Sequence, residues 1–434
     1  MKEQVWETRP LECWAKAKEL RAEWQANIAK DDKIVGQGNT YFVDWQEAFP
    51  AIRIVEDNPA GSMIQAKSSP FARKCRLASE IRGWGREICG YHGNIWGSQF
   101  LGYDENGAPF ARRHFVVPFP CVCDSHAKRG QQVRDFEPVP QWMSDQCMYL
   151  GPRDEDREEA MNEHKAYCTL RQINDIERVF GQKFDDEKMV EMIHSGHVER
   201  ECRSEISRLM AQTVPAPISV KDMYSFYTLG FLTRIDPQKN LDFWKLVRDE
   251  IKWRAENHIA ALGTERFRWI EAHPPSWHFL KYYRYMEQYG AVCLGSQYTS
   301  GSGDYKGIER VTYPEDTPLL TREDAIRYSD TPNAREPVGF KQDEYMNRPP
   351  YGEDVLIKFA RYNQANGALL ALWRCGVGCT LTRKEQAMRL REAGFSVLHY
   401  EGSQPGDRTD LDEKRFLNQL DNWMESQGMQ KLES

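Results

Sequence analysis

The sequence predicts an α/β protein with two parallel-sheet domains, Rossmann-like or flavodoxin-like, joined to a helical N-terminal segment and a helical connecting region. Three observations predict it. Short apolar runs bounded by turn residues, HFVVPFP and GALLALWR, read as buried strands. From about residue 263 such runs alternate with helical patterns, which implies right-handed crossovers and a mostly parallel sheet. Between the two strand-bearing parts, helical periodicity continues to about Leu262. A chain of 434 residues exceeds one ordinary core. The expected units are therefore residues 1–70 (helical), 71–165 (first α/β domain), 166–262 (helical) and 263–434 (second α/β domain).

The elements follow in order. LECWAKAKELRAEWQANIA has apolar residues near helical spacing and is followed by irregular chain to about residue 60. KSSPFARKCRLASEIRGWGREICGYHGNIWG reads as a helix ending in a glycine-rich segment. The turn GYDENGAPFARR leads into the strand HFVVPFP, and CVCDSHAKRG after it would begin a helix capped near Asp124 or Ser125. A charged linker, GPRDEDREEAMNEHKAY, opens the helical region, where a turn at Gly181 precedes a helix capped near Asp185 and VPAPIS breaks two later helices. In the last part HFLKYYRYMEQYG is a helix closed by Gly290, and AVCLGSQYT is the next strand. Residues 300–352 read as a long loop region. EDVLIKFARYNQANG is a helix, GALLALWR a strand, TRKEQAMRLREAG a helix closed by Gly394, SVLHYEGS a strand, and KRFLNQLDNWMESQG the last helix.

Composition narrows the function classes. Hydrophobic residues make up 40% and charged residues 28%, which places the chain among globular rather than disordered proteins. The net charge is −7 and the pI about 5.9, and no basic stripe for nucleic acid is visible. A local cationic pocket for an acidic substrate is compatible with that balance. No segment approaches the roughly 18 apolar residues of a membrane span. The opening MKEQVWETRPLECW is not a signal peptide, so a cytoplasmic location is expected.

Eleven cysteines, an odd number scattered over the chain, do not form a secreted disulfide framework. Most are expected to be buried structural thiols. A few stand where chemistry happens. Ligands in open α/β sheets bind beyond the carboxyl ends of the strands. Cys121 and Cys123 follow HFVVPFP, and Cys375 and Cys379 follow GALLALWR. Cys89 lies in the glycine-bearing EICGYHGNIWG, where glycines let the backbone approach a bulky inorganic group. Thiolates are the usual ligands of iron–sulfur clusters and can come from distant points in a chain. Three such points would supply three ligands and leave one iron open. Neither a CxxC…CxxC zinc pattern nor a CxxCxxC ferredoxin run occurs. A redox disulfide between Cys375 and Cys379, zinc binding and plain core thiols are the competing readings. His92, His126 and His399 each sit near a cysteine or a strand end and are weighed against ordinary hydrogen-bonded core histidines. Walker, dinucleotide and GxSxG fingerprints are absent: GSQYTSGSGDYKG lacks the GKS/T ending. The abundant Trp and Tyr are mostly core, with some rings available to line the pocket of a flat substrate.

Taken in order, EICGYHGNIWGSQFLG, CVCDSHAKRGQQVRDFEPVP, RQINDIERVFGQKFDDEKM, FLKYYRYMEQYGAVCLGSQYT and LREAGFSVLHYEGSQPGDRTDLDEKRFLNQLDNWMESQGMQKLE resemble the 2-hydroxyacyl-CoA dehydratase and benzoyl-CoA reductase family. The resemblance runs from about residue 70 to the end. It is strongest to the larger cluster-binding subunit of ATP-dependent benzoyl-CoA reductases. It implies a [4Fe-4S] cluster held by three cysteines, a related second cluster-binding subunit, an ATP-hydrolysing iron–sulfur activator that delivers electrons, and an aromatic acyl-CoA substrate. Carried over by residue, Cys89 is the first ligand and Cys123, five residues before Lys128, the second. Cys375 is the third, with Cys379 in reserve because WRCGVGC offers two cysteines where one is expected. His92 and His126 are the nearest candidates for supplying protons. The expected function is that of an iron–sulfur subunit of an aryl-CoA reductase. The alternatives are a 2-hydroxyacyl-CoA dehydratase subunit and a non-catalytic electron relay.

Overall fold

A computed structural model of the chain describes residues 4–28, 33–38, 45–56, 64, 66–85, 89–109, 113–117, 138–142, 155–227, 229, 236–272, 275–296, 322–323, 326, 355–372, 383–401 and 411–433. The described chain is α/β, and both of its sheets are parallel throughout.

Helix α1 (Trp14–Ile28) precedes strands β1 (Ile34–Gly38) and β2 (Ile52–Glu56). Helices α2 (Ser69–Ile81) and α3 (Gly90–Leu101) follow, then strand β3 (Phe115–Val117). The first sheet has the order β2-β1-β3, with Gly36 of the central strand opposite Ile54 on one side and Phe115 on the other. Four helices come next: α4 (Glu155–Phe180), α5 (Asp186–Gln212), α6 (Val220–Tyr227) and α7 (Pro237–Glu256). The second sheet is built from β4 (Phe267–Glu271), β5 (Ala291–Ser296), β6 (Gly367–Ala371) and β7 (Ser396–Tyr400), in the order β5-β4-β6-β7. Helix α8 (Lys281–Glu287) joins β4 to β5. Helices α9 (Val355–Tyr362) and α10 (Arg383–Glu392) flank β6, and α11 (Glu413–Ser426) closes the described chain.

Strands covered on both faces read as continuous apolar runs. Every residue of β4, β5 and β6 is buried, whereas β7 at the sheet edge is mostly half-buried. Several local signals act as expected. Asp185 caps α5 by accepting from the Lys188 N–H at 2.9 Å, and Gly181 before it takes a positive φ of 63°. Gly290 and Gly394 close α8 and α10 with φ of 70° and 91°.

Five elements differ from the sequence expectation. The segment read as helix and irregular chain up to residue 60 supplies two strands, β1 and β2. Glycine weakens β propensity, and β1 carries two. Gly36 is nonetheless required, because the Phe115 ring lies over it and a Cβ there would come within 2.2 Å of Cζ. The supposed glycine-rich tail of α2 is helix α3. The strand FRWIE (β4) was not singled out, and α4 already starts at Glu155 inside the supposed linker. The helix expected at CVCDSHAKRG lies outside the described residues, as does nearly all of the 300–352 loop region.

Two polar arrangements tie the elements together. Ser195 of α5 donates to the Pro237 carbonyl at 2.9 Å, and Asn240 of α7 donates to Ser195 Oγ at 2.8 Å and to Glu199 at 3.2 Å. These bonds satisfy polar groups in a buried helix–helix contact. The buried Arg254 guanidinium collects carbonyls from three separate places: Arg9 at 2.9 Å, Pro217 at 2.9 Å and Ala260 at 3.2 Å. Glu250 accepts from the Glu12 and Cys13 N–H groups, both at 2.8 Å, and so caps α1 from a distance. The N-terminal segment also runs beside residue 260, with Trp6 N–H on the Gly263 carbonyl at 2.8 Å and Ala260 N–H on the Glu7 carbonyl at 2.8 Å. Among the described residues no helix is long and apolar enough to cross a membrane.

Candidate functional site

The first expected thiol station is Cys89, the N-cap residue of α3, with φ −44° and ψ 119°. Helix α3 is unusual in being buried from Gly90 through Ser98. It packs on α2 so closely that only glycine fits at two places. A Cβ on Gly93 would meet Arg76 Nη1 at 2.1 Å, and one on Gly97 would meet the Cys75 carbonyl oxygen at 1.9 Å. Ser79 of α2 reinforces the contact by donating to the Gly93 carbonyl at 2.8 Å. Residues 89, 93 and 97 are spaced four apart and so share one face. The same glycines therefore fix how α3, which begins directly after Cys89, is seated on α2.

Cys89 is 8% exposed, and its side chain makes no capping hydrogen bond. The first N–H groups of a helix have no intrahelical acceptor, and the helix dipole places positive potential there. A thiolate is favoured at such a point. His92, one turn on, is 1% exposed and lies between rings: Tyr91 at 5.6 Å edge-on and Trp96 at 5.8 Å between centroids. Trp84 packs on Trp96 at 4.9 Å. A buried thiol at a helix N-terminus beside an aromatic wall fits one ligand position of a thiolate-held cluster. Among the described residues no three His, Cys, Asp or Glu side chains gather to hold a metal ion. Cys121, Cys123, His126, Cys375 and Cys379 lie outside the described residues. Their sequence positions relative to the sheets are nonetheless definite. Cys121 and Cys123 come four and six positions after Val117, where β3 ends, and Cys375 comes four after Ala371, where β6 ends.

Four other described thiols, Cys13, Cys75, Cys202 and Cys293, are buried in the core, and Cys168 is half-buried. Burial pushes Cys75 up to about 12 and Cys202 up to about 11. Burial also raises Cys13, aided by its contact with Glu250, and raises Cys293, aided by the charge of Glu271. His399 is exposed at the end of β7 and pairs with Arg391 at 3.0 Å. Burial first and then the Arg391 and Lys384 charges hold it below the ordinary histidine value.

A second buried constellation escaped the sequence reading. Glu271, the last residue of β4, is 3% exposed. It accepts from the Tyr282 hydroxyl at 2.9 Å, the Tyr283 hydroxyl at 2.6 Å, and the Tyr224 hydroxyl. Tyr224 also contacts Ser296 Oγ, the last residue of β5, at 2.9 Å. The group thus gathers at the carboxyl edge of the second sheet, where ligands of α/β proteins bind. Loss of hydration pushes the Glu271 carboxyl above its ordinary value even though four hydroxyls, those of Tyr224, Tyr283, Ser296 and Tyr282, pull the other way. The three phenols are raised well above theirs, first by burial and then by the Glu271 charge. The available sequence signal is a glutamate ending a short strand rich in large apolar residues, FRWIE, followed by a Tyr-Tyr pair at the start of a helix. Cys89, Tyr91 and Trp96 belong to the same continuous buried core as Tyr224, Trp277, Tyr282 and Tyr283.

Two all-parallel sheets flanked by helices define an α/β protein. Residues 68–426 match the sequence model of the family described as 2-hydroxyglutaryl-CoA dehydratase, D-component, and the chain belongs to that family. Among curated proteins no match to the chain is found.

Proposed function

We propose that this chain is the iron–sulfur subunit of an acyl-CoA enzyme and, within that class, of an aryl-CoA reductase of the benzoyl-CoA reductase type. The observation that carries the class is the family match over residues 68–426. The buried N-cap position of Cys89 supports it independently. The narrower assignment rests on the resemblance of the ordered sequence blocks to the larger reductase subunit.

In this reading Cys89, Cys123 and Cys375 hold a [4Fe-4S] cluster, with Cys379 as the alternative third ligand. When bound, the cluster would supply single electrons at low potential for reduction of an aromatic thioester. The work of the chain itself is to seat, shield and protonate. Cys89 stands at the α3 N-terminus, where N–H groups without intrahelical acceptors and the helix dipole present positive potential. Tyr91 and Trp96 share its buried core, with His92 packed on both rings and Trp84 on Trp96. His92 and His126 are assigned to proton supply. The two α/β domains, the first taking in β1 and β2 as well as residues 71–165 and the second spanning 263–434, act in the cytoplasm, beside a related second subunit and an ATP-hydrolysing iron–sulfur activator.

The second reading is a dehydratase subunit eliminating water from a 2-hydroxyacyl-CoA, and the printed description of the family favours it. Anaerobic purification followed by iron, sulfide and zinc analysis tests the class. Iron with matching sulfide, lost in Cys89→Ala with the fold retained, is the expected result; a colourless, iron-free but active protein overturns it. Supplying benzoyl-CoA and a 2-hydroxyacyl-CoA to the reconstituted complex separates the two reactions. Dearomatised product from the first alone supports the reductase, and turnover of the second alone supports the dehydratase.

A further inference from the structure

We propose that Arg76 is a buried counter-charge for the cluster held at Cys89, and that glycine at 93 leaves room for its guanidinium on the face of α3 that Cys89 shares. This role rests on the cluster reading above. Arg76 of α2 is 2% exposed and ranks among the largest fully buried side chains. Its guanidinium lies against α3: a Cβ on Gly93 would meet Nη1 at 2.1 Å, Cδ at 3.0 Å and Cζ at 3.1 Å. Gly93 stands one turn after Cys89, about 6 Å along the helix axis. Its N–H donates to the Cys89 carbonyl at 2.9 Å. The guanidinium is therefore on the order of one helical turn from the Cys89 backbone.

No other buried formal charge belongs to this helix pair. Helix α3, GYHGNIWGSQFL, contains no Asp, Glu, Lys or Arg. In α2, Arg73 and Lys74 are exposed and Glu80 is half-buried, which leaves Arg76 as the buried charge among the described residues of the two helices. Arg76 makes further contacts of its own. The role needs its charge and its place, not a free guanidinium.

Burying an arginine is costly and rare unless something compensates the charge. Three thiolates on a doubly positive iron–sulfur core leave a net negative charge, and that charge doubles when one electron is taken from an external reductant. The reductant is oxidised by that electron, and no bond forms or breaks. A fixed cation about one turn away favours the more negative, reduced form. At an effective dielectric of about 20, unit charges roughly 6–8 Å apart bias an equilibrium by more than about tenfold. Arg76 touches Gly93 rather than the reacting atoms and acts through its field, so it is a positioning residue.

The test is a redox titration of the anaerobically purified full chain with titanium(III) citrate. The reduced cluster is followed by electron paramagnetic resonance, alongside iron and sulfide analysis. Arg76→Met keeps the length of the side chain and removes the charge. It should lower the ratio of reduced to oxidised cluster at a fixed poise by about tenfold or more, a shift of about 59 mV for one electron. Arg76→Lys should return the ratio to near the wild-type value. Gly93→Ala should also lower the ratio with the charge still in the chain, because the atoms its methyl would meet belong to the Arg76 side chain and not to backbone. Loss of iron in Arg76→Met with retention in Arg76→Lys would show the same charge requirement in cluster assembly. An iron-replete Arg76→Met with the wild-type midpoint, or an Arg76→Lys that behaves as Arg76→Met does, overturns the counter-charge and leaves the cluster reading standing. An iron-free wild-type chain removes the cluster reading and this role with it.

Discussion

The backbone of Cys75 in α2 and that of Gly97 in α3 approach so closely that a Cβ on Gly97 would lie 1.9 Å from the Cys75 carbonyl oxygen. The obstacle is backbone, not the end of a flexible side chain, so one helix must move to admit a methyl group. Gly97→Ala is expected to destabilise the protein by about 1–3 kcal/mol, the usual range for overpacking. Because α3 begins directly after Cys89, the cluster proposed above predicts that iron content falls with it. Thermal unfolding and iron analysis of the variant check both, and an unchanged melting temperature with full iron would refute the link.

The buried thiols divide by reactivity. Cys75 and Cys202 are held up at about 12 and 11, and Cys13 and Cys293 are raised too, all chiefly by burial. Since the thiolate is the nucleophile, these four should resist alkylation at pH 7 in the native protein while the half-buried Cys168 reacts first. Mass spectrometry after brief anaerobic treatment with iodoacetamide measures the order. Labelling of Cys75 as fast as Cys168 would contradict the packing described for α2.

Two carboxyls make opposite contributions to stability against pH. The Glu271 value is raised by burial, so its contribution is fullest below the ordinary 4.5 and declines as pH rises through its folded value. Glu271→Gln should therefore flatten the decline of stability on the alkaline side of 4.5. Denaturant unfolding at a series of pH values reads this directly, and an identical profile in variant and wild type would count against a Glu271 carboxyl raised by burial.

Asp421 works in the other direction. Burial raises it, but hydrogen bonds from Tyr289, Tyr285 and Lys431 outweigh that and leave it below its ordinary 3.8. Its contribution is present above 3.8 and is lost as pH falls through the folded value. Asp421→Asn should remove this acid-side dependence while leaving the neutral-pH fold intact, as followed by tyrosine fluorescence on acid titration.

Glu250 caps a helix that lies more than two hundred positions away in sequence, through the Glu12 and Cys13 N–H groups. Glu250→Ala should cost about 1–2 kcal/mol, the upper part of the range for a lost cap. Hydrogen exchange at the start of α1 would report it as faster local opening. Unchanged protection at residues 12–16 would show the cap to be dispensable.

The second sheet was largely legible in the sequence. Continuous apolar runs such as GALLA are what a strand covered on both faces requires, and glycines at 290 and 394 mark helix ends that only a left-handed residue closes cheaply. The first sheet was not, because β1 spends two of its five positions on glycine, and the need for Gly36 is visible only once Phe115 lies over it. Helix α3 was missed for a related reason: its glycines serve a helix–helix contact, although in sequence they read as a loop. At the candidate site, Cys89 and His92 could be picked from local sequence and are found together on one helix. The Glu271 group could not be, since its partners come from residues 224, 282, 283 and 296, and nothing local says that three phenols converge on one oxygen pair.

The clasp around Arg254 sets a schedule for the ribosome. The first residues of the chain pair with Ala260 and Gly263, and the guanidinium that gathers the Arg9 carbonyl arrives 245 positions later. At bacterial or eukaryotic elongation rates the N-terminal segment waits on the order of tens of seconds before its docking surface exists. During that interval α1 is without its remote cap, and a fusion tag at the N-terminus would burden a docking step that comes late in folding.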